Sequence, residues 1–299
     1  GHSQSTTVAE TYQCKDGYAR IFVNQADHWK RFVEWLGSPP ELLDPKFENV
    51  QNRFPLRQTI DRLVEARTLN YPVKKFFDEF QGLRLAAAPI NSPSAFLADE
   101  QTLHRSYVTE VEHPELGRHK FPGDPYKFSE SPWRVARGAP LLGEHQNRMN
   151  QELSQPSAWF KESTSVANGQ QRKPFEGTRV LSFPTGIVGP ALAGLLAEQG
   201  AEVISIEAGR AARSPQRGQR FQIASDLEAN RNRKRIAVDM KNPEGVALVK
   251  KLIAQSDVVV ENFSARVMGS WGLDYPRLKE IRPDIIMASL QAFGQTGPR

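Results

Sequence analysis

Apolar positions change their period along this chain, and the change divides it. Tyr12-Gln13-Cys14 and Tyr18-Ala19-Arg20-Ile21-Phe22-Val23 flank Asp16-Gly17, the pattern of a β-hairpin. From about Asp27, Trp29, Phe32, Val33 and Leu36 recur at helical spacing, with Gly37 as the stop. A second helix is predicted over 56–69, with Leu56, Ile60, Leu63 and Val64 on one face. Pro72 opens a third that carries Val73, Phe76, Phe77 and Phe80. A short apolar stretch from Leu85 to Ile90 follows. The segments Tyr107–Val111 and Arg118–Phe121 flank a Pro/Gly turn, which predicts another hairpin. Helix and strand signals alternate here without a regular parallel pattern, so this part is expected to be a smaller α+β domain.

Beyond residue 176 the alternation becomes regular. Arg179–Phe183 is a predicted strand, and Pro190 is expected at the first position of a helix running from Ala191 to Gln199, ended by Gly200. Strands are predicted at Glu202–Ile206, Arg235–Val238, Asp257–Val260 and Asp284–Ala288. Asn242-Pro243 is a helix-start pair, and Val246, Val249 and Ile253 mark that helix's buried face. Strand–helix–strand spacing of this kind predicts an α/β fold, a Rossmann-like parallel sheet with helices on both sides.

Between the two parts, Ser154 to Phe175 is rich in Ser, Gln, Asn and Lys and poor in periodic apolar residues. It is long for a loop inside one compact domain. The expected organisation is a small α+β domain over 10–135, a tail helix over 136–153, a linker over 154–175 and a Rossmann-like half over 176–299.

Composition narrows the function classes. With 39% hydrophobic and 24% charged residues the chain resembles ordinary globular proteins. No apolar run approaches the roughly 18 residues of a membrane helix, so no membrane partner is expected. The single cysteine, Cys14, rules out an intramolecular disulfide and a cysteine-based zinc site, and a reducing cytoplasm is the expected setting. The histidines are scattered without metal-ligand spacing, so no metal is expected. Net charge is +5, with Arg210, Arg213, Arg217, Arg220, Arg231, Arg233, Lys234 and Arg235 concentrated in one run. Such a run suits a small polyanion, a nucleic-acid backbone or simple solvation.

Candidate chemistry gathers at strand ends. Thr185-Gly186-Ile187-Val188-Gly189-Pro190 is the first strand-to-helix turn, where open α/β sheets bind ligands. Gly186 and Gly189 permit close backbone approach, and a helix N-terminus favours phosphate. Without a full Gly-x-Gly-x-x-Gly pattern the segment is also compatible with a plain tight turn. Glu207 ends the second strand, where a carboxylate can bond a ribose or simply face solvent.

More specific is an ordered set of segments. Phe175-Glu176-Gly177-Thr178-Arg179-Val180-Leu181, Gly189-Pro190 and Gly200-Ala201-Glu202-Val203-Ile204-Ser205-Ile206-Glu207 resemble the opening of family III CoA-transferases. That group includes formyl-CoA and carnitine CoA-transferases and α-methylacyl-CoA racemases. The resemblance continues through Asn230–Arg235, Asp239–Gly245, Val259-Val260-Glu261-Asn262-Phe263, Gly272–Tyr275 and Phe293–Pro298. Asp16-Gly17-Tyr18, Asp44–Phe47, Ala88–Asn91, Glu112–Gly117 and Ala139–His145 resemble the same family's small domain and tail, which normally come later. The order is inverted. The expected explanation is a two-repeat protein sampled across its junction, with circular permutation as the rival.

The resemblance implies an activity, CoA transfer between an acyl-CoA and a carboxylic acid, with coenzyme A as substrate and no nucleic-acid partner. A racemase, a CoA-dependent lyase and a non-catalytic scaffold repeat are the alternatives. It also implies a homo-oligomer, since family members form interlocked dimers. The family's nucleophile is an aspartate some distance past the Gly-Gln-Thr-Gly-Pro motif, so the expectation is that it lies outside this chain, and no residue is assigned a catalytic role. CoA contacts are implied at Gly186 and Ile187, at Val238 and Lys241, and at Asn262 and Phe263, with Glu207 beside them. Two cations common in the family are replaced by Ala208 and Ser270, which predicts weak phosphate binding unless Arg210 or Arg266 compensates.

Overall fold

The computed structural model describes residues 8–154, 173–208 and 230–299. Two compact units are present, one running through Val108 and including Pro298–Arg299, the other Thr109–Gly297.

In the first unit, β1 (Thr11–Cys14), β2 (Gly17–Phe22) and β3 (Ala86–Pro89) form an antiparallel sheet in the order β1-β2-β3. Helices α1 (Ala26–Trp35), α2 (Arg57–Thr68) and α3 (Val73–Gly82) bury Trp29, Phe32, Val33, Ile60, Val64, Phe76, Phe77 and Phe80 of the periodic residues read from the sequence. Trp35 stands edge-on to Phe80 at 4.8 Å, and Phe76 lies 4.4 Å from Phe80. Leu63 and Leu56 are only partly buried; Asp61 and Thr68 take the inner face of α2 instead. Short 3-10 turns between 40 and 56 carry the fully buried Arg53, and short helices α4 (Pro93–Leu97) and α5 (Glu100–His104) follow β3.

The second unit contains the expected hairpin, β4 (Val108–His113) with β5 (Gly117–Pro122), and the helix α6 (Gln146–Leu153). Its larger part is a five-stranded, wholly parallel sheet. The strands are β6 (Arg179–Phe183), β7 (Glu202–Ala208), β8 (Arg233–Val238), β9 (Val258–Glu261) and β10 (Ile286–Ser289), in the spatial order β10-β9-β6-β7-β8.

Alternation along the strands divides two cores. Val180, Val203 and Val260 face Ala193 and Ala197 of α7 (Val188–Glu198). Leu181, Phe183, Ile206 and Val259 face Val249 and Ile253 of α8 (Pro243–Ile253), Met268 of α9 (Val267–Ser270) and Leu278 of α10 (Tyr275–Ile281). Burial on both faces explains why the central strands are almost continuously apolar. The fold is therefore the expected doubly wound α/β sheet with smaller antiparallel sheets.

Some boundaries differ from expectation by a few residues, among them β7, β8 and β10. Helix α7 starts at Val188, so Pro190 is its third residue rather than its first. Proline is tolerated there because the first-turn N–H groups have no intrahelical acceptor. Asn242 caps α8 as predicted, accepting from the Glu244 N–H at 2.9 Å, with Pro243 next.

Candidate functional site: the crevice between β6 and β9

The chain leaves β6 and moves outward to β7 and β8, then crosses back to β9 and β10 on the other side of β6. The reversal places a crevice at the carboxyl ends of β6 and β9, the position where open α/β sheets take ligands.

Two residues close that crevice. The Thr185 N–H donates to Asn262 Oδ1 at 2.9 Å, and Asn262 Nδ2 donates to the Thr185 carbonyl at 2.6 Å. A side chain at Gly189 would begin 2.4 Å from Asn262 Oδ1, so only glycine lets the first turn of α7 approach this amide. Gly186 has φ +59, a left-handed conformation, and Ile187 beside it is exposed. Gly186 and Ile187 directly follow Thr185, so the turn that carries them lies next to the Asn262 amide.

Beneath Asn262 lies a contact that sequence reasoning missed. Glu261 is buried, and its carboxylate accepts from the Phe263 N–H at 2.8 Å and from Gln291 Nε2 at 2.8 Å. Gln291 Nε2 also donates to the Phe263 carbonyl at 3.2 Å. Glu261 and Gln291 therefore hold the turn that presents Asn262. The available signal was a carboxylate closing an otherwise apolar strand, where a buried acid must find donors. Phe263 packs edge-on against Trp271 at 5.3 Å and lies 6.4 Å from Phe183, so its ring is part of an aromatic cluster.

The remaining predicted residues sit on the other side of β6. The Val238 side chain is buried in the core, leaving its backbone for any ligand contact. Glu207, at the end of β7, is gripped by Arg235 of β8 through two bonds, Nε to Oε1 at 2.6 Å and Nη2 to Oε2 at 2.8 Å. Lys241 lines a groove of about 420 Å³ together with Lys250, Ser270 and Trp271.

Ion pairing changes the picture of the basic run. Arg231 pairs with Glu198, Lys234 with Glu202 and Arg235 with Glu207. Hydrogen bonds from Lys234 and Arg179 hold the Glu202 carboxyl below the usual carboxylate range. These cations thus meet carboxylates of α7 and β7. Arg210, Arg213, Arg217 and Arg220 lie outside the described residues. Among the described residues no cluster of three potential metal-ligating side chains is present, and no helix is long and apolar enough to cross a membrane.

The sequence matches CoA-transferase family III over residues 1–146 and 175–299. The chain belongs to CoA-transferase family III. It is 27% identical over 303 residues to the Mycobacterium tuberculosis protein named "Probable CoA-transferase Rv1866", an alignment that takes in 100% of this chain and 37% of that one. It is 36% identical over 184 residues to the alpha subunit of succinyl-CoA–L-malate CoA-transferase from Chloroflexus aurantiacus, covering 59% of this chain and 39% of that one. With succinyl-CoA:glutarate CoA-transferase of Mus musculus it shares 42% identity over 132 residues, 42% of this chain and 30% of that one. A crystal structure of Rv3272 from M. tuberculosis aligns with 32% identity and a TM-score of 0.40, over 43% of this chain and 35% of that one. The chain therefore spans between 30% and 39% of the length of these relatives.

Family III membership bears on the residues just described. Gly186, Gly189, Glu261 and Asn262 all lie in the second matched segment, where Thr185 bonds Asn262 and Gly189 packs against it.

Proposed function

We propose that this chain carries a coenzyme A binding half of a CoA-transferase, an enzyme that moves CoA between an acyl-CoA and a carboxylic acid. The observation that carries the reading is the Thr185–Asn262 clasp at the switch point of a parallel sheet, within a segment matched to the family. In this reading CoA lies across the ends of β6, β7 and β9. Gly186 and the N-terminus of α7 approach its diphosphate, Glu207 its ribose, and Lys241 a phosphate. Ile187, Val238, Asn262 and Phe263 supply backbone and side-chain contacts along the way.

Relatives named as succinyl-CoA transferases acting with malate or glutarate favour transfer over racemisation or lyase chemistry. The order of domains fits the junction of two repeats. In that arrangement residues 10–135 and 136–153 are the small domain and tail of one repeat, 154–175 a linker, and 176–299 the opening half of the next. Rv1866 aligns with the chain across all four in the same order, which supports it. An assembly of more than one chain is part of the same reading, supported by relatives named as alpha and beta subunits.

Ala208 and Ser270 stand where cations would strengthen phosphate binding, so the expected affinity is in the high-micromolar range, on the order of 100 µM. Calorimetric titration of CoA into the intact chain, at low and high salt and with Lys241→Ala, tests this. Weak binding that fades with salt and with loss of Lys241 is expected. Absence of any CoA binding at low salt, or tight binding indifferent to salt, overturns the reading.

A further inference from the structure

We propose that Lys250 joins Lys241 to seat the 3′-phosphate of coenzyme A in the groove between α8 and Trp271. This inference rests on the CoA reading of the site and assigns a residue that the sequence resemblance does not indicate.

The groove is built by one face of α8. Pro243, Val246, Ala247 and Lys250 follow each other at helical spacing and line it, opposite Ser270 and Trp271. No acidic residue lines the groove, and among the described residues neither Lys241 nor Lys250 has a carboxylate partner. The contrast with Arg231, Lys234 and Arg235, each held by a glutamate, is direct. Two ammonium groups over an apolar floor, with no carboxylate partner among the described residues, favour a multiply charged anion.

The position of Lys250 follows from its neighbours. Its Nζ lies 3.9 Å from where a side chain on Gly272 would begin, and Gly272 has φ +67. The ammonium therefore lies next to the turn that carries Trp271, and the left-handed backbone of Gly272 shapes that turn. The Ser270 hydroxyl in the same groove donates to the Val267 carbonyl at 2.7 Å, so the wall opposite α8 contributes no cation and α8 itself contributes one. Arg266 is not among the lining residues.

Strand order suggests which phosphate belongs here. The Gly186 turn stands over β6, Glu207 ends β7, and Lys241 follows the end of β8, the next strand outward. A nucleotide with its diphosphate at the first position and its ribose at the second carries a 3′-phosphate toward the third. The groove does not include the residues of the Gly186 turn, so it is separate from the diphosphate position.

The test compares CoA with dephospho-CoA, which lacks only the 3′-phosphate, by calorimetric titration at low salt. The intact chain is compared with Lys250→Gln, Lys250→Arg and Lys241→Ala. Lys250→Gln is expected to weaken CoA binding about fivefold, the value of one exposed charge contact. It should leave dephospho-CoA binding unchanged, and Lys250→Arg should retain most of the CoA affinity. Equal weakening of both ligands by Lys250→Gln, or no weakening of CoA, overturns the assignment. If Lys241→Ala weakens CoA while Lys250→Gln does not, the CoA site stands and Lys250 has no part in it. If the intact chain binds neither ligand, both readings fall.

Discussion

Asn262 and Thr185 are joined by two hydrogen bonds, and the same Asn262 oxygen fills the space that a side chain on Gly189 would need. The end of β9, the end of β6 and the start of α7 are therefore one unit of packing. Gly189→Ala must push the amide aside and is expected to cost about 1–3 kcal/mol. Asn262→Ala alone frees exposed Thr185 groups that water can satisfy and is expected to cost about 1 kcal/mol or less. Because the smaller residue removes the clash, the double substitution should cost less than the sum. Urea unfolding of the four proteins measures this. Strictly additive losses, or a neutral Gly189→Ala, would show that the amide does not sit against Gly189.

Arg53 is buried, and among the described residues no carboxylate pairs with it. Its guanidinium donates to the carbonyls of Phe47 at 2.7 Å, Val23 at 3.0 Å and Glu48 at 3.0 Å, and stacks 4.4 Å from the Trp29 ring centroid. Burial pushes its pKa down to about 10, yet it stays charged at neutral pH. Lysine cannot reproduce this planar fork, so Arg53→Lys is expected to cost about 2–4 kcal/mol despite keeping the charge. A thermal midpoint indistinguishable from that of the parent would refute the carbonyl-cradle account.

Tyr12 predicts an alkaline limit to stability. Burial raises its phenol far above the ordinary value, reinforced by the 2.6 Å bond to Asp61 Oδ1 and by that carboxylate's charge. The unfolded chain releases this proton near pH 10, whereas the folded chain retains it. The contribution is fully present below about pH 10 and is lost as pH rises beyond it, at about 1.4 kcal/mol per pH unit. Tyr12→Phe removes one titrating group, so its stability should fall less steeply between about pH 9.5 and 11. Parallel alkaline limbs in denaturant-midpoint curves would count against the mechanism.

Two buried serines should be dispensable. Ser182 and Ser205 are partners in the β6–β7 register, and both are fully buried on the face covered by α7. Among the described residues neither hydroxyl has a hydrogen-bond partner. A buried hydroxyl without a partner costs about 1–3 kcal/mol. Ser205→Ala is therefore expected to leave stability unchanged or raise it by up to about 1 kcal/mol. A loss greater than this in urea unfolding would reveal a partner for the hydroxyl.

Periodicity alone determined the local elements of this chain. Buried residues at helical spacing, such as Phe76, Phe77 and Phe80, announced α3 because an apolar stripe has only one stable use in water. Apolar runs such as Arg179–Phe183, punctuated by glycine and helix caps, announced a parallel sheet covered on both faces. The glycine turn at Gly186 and the Glu-Asn-Phe ending of β9 were visible as segments. Their junction was not, because Thr185 and Asn262 are 77 residues apart and meet only through the register of β6 with β9. The charged residues were misleading for a similar reason. Arg231, Lys234 and Arg235 form a cationic run in the chain, but the β7–β8 pairing and α7 bring Glu198, Glu202 and Glu207 to them. Lys250 and Trp271, 21 residues apart, share one groove only in the folded chain. Local propensity acts over a few residues, whereas strand order and charge pairing are set by contacts between distant segments, and only the tertiary structure decides those.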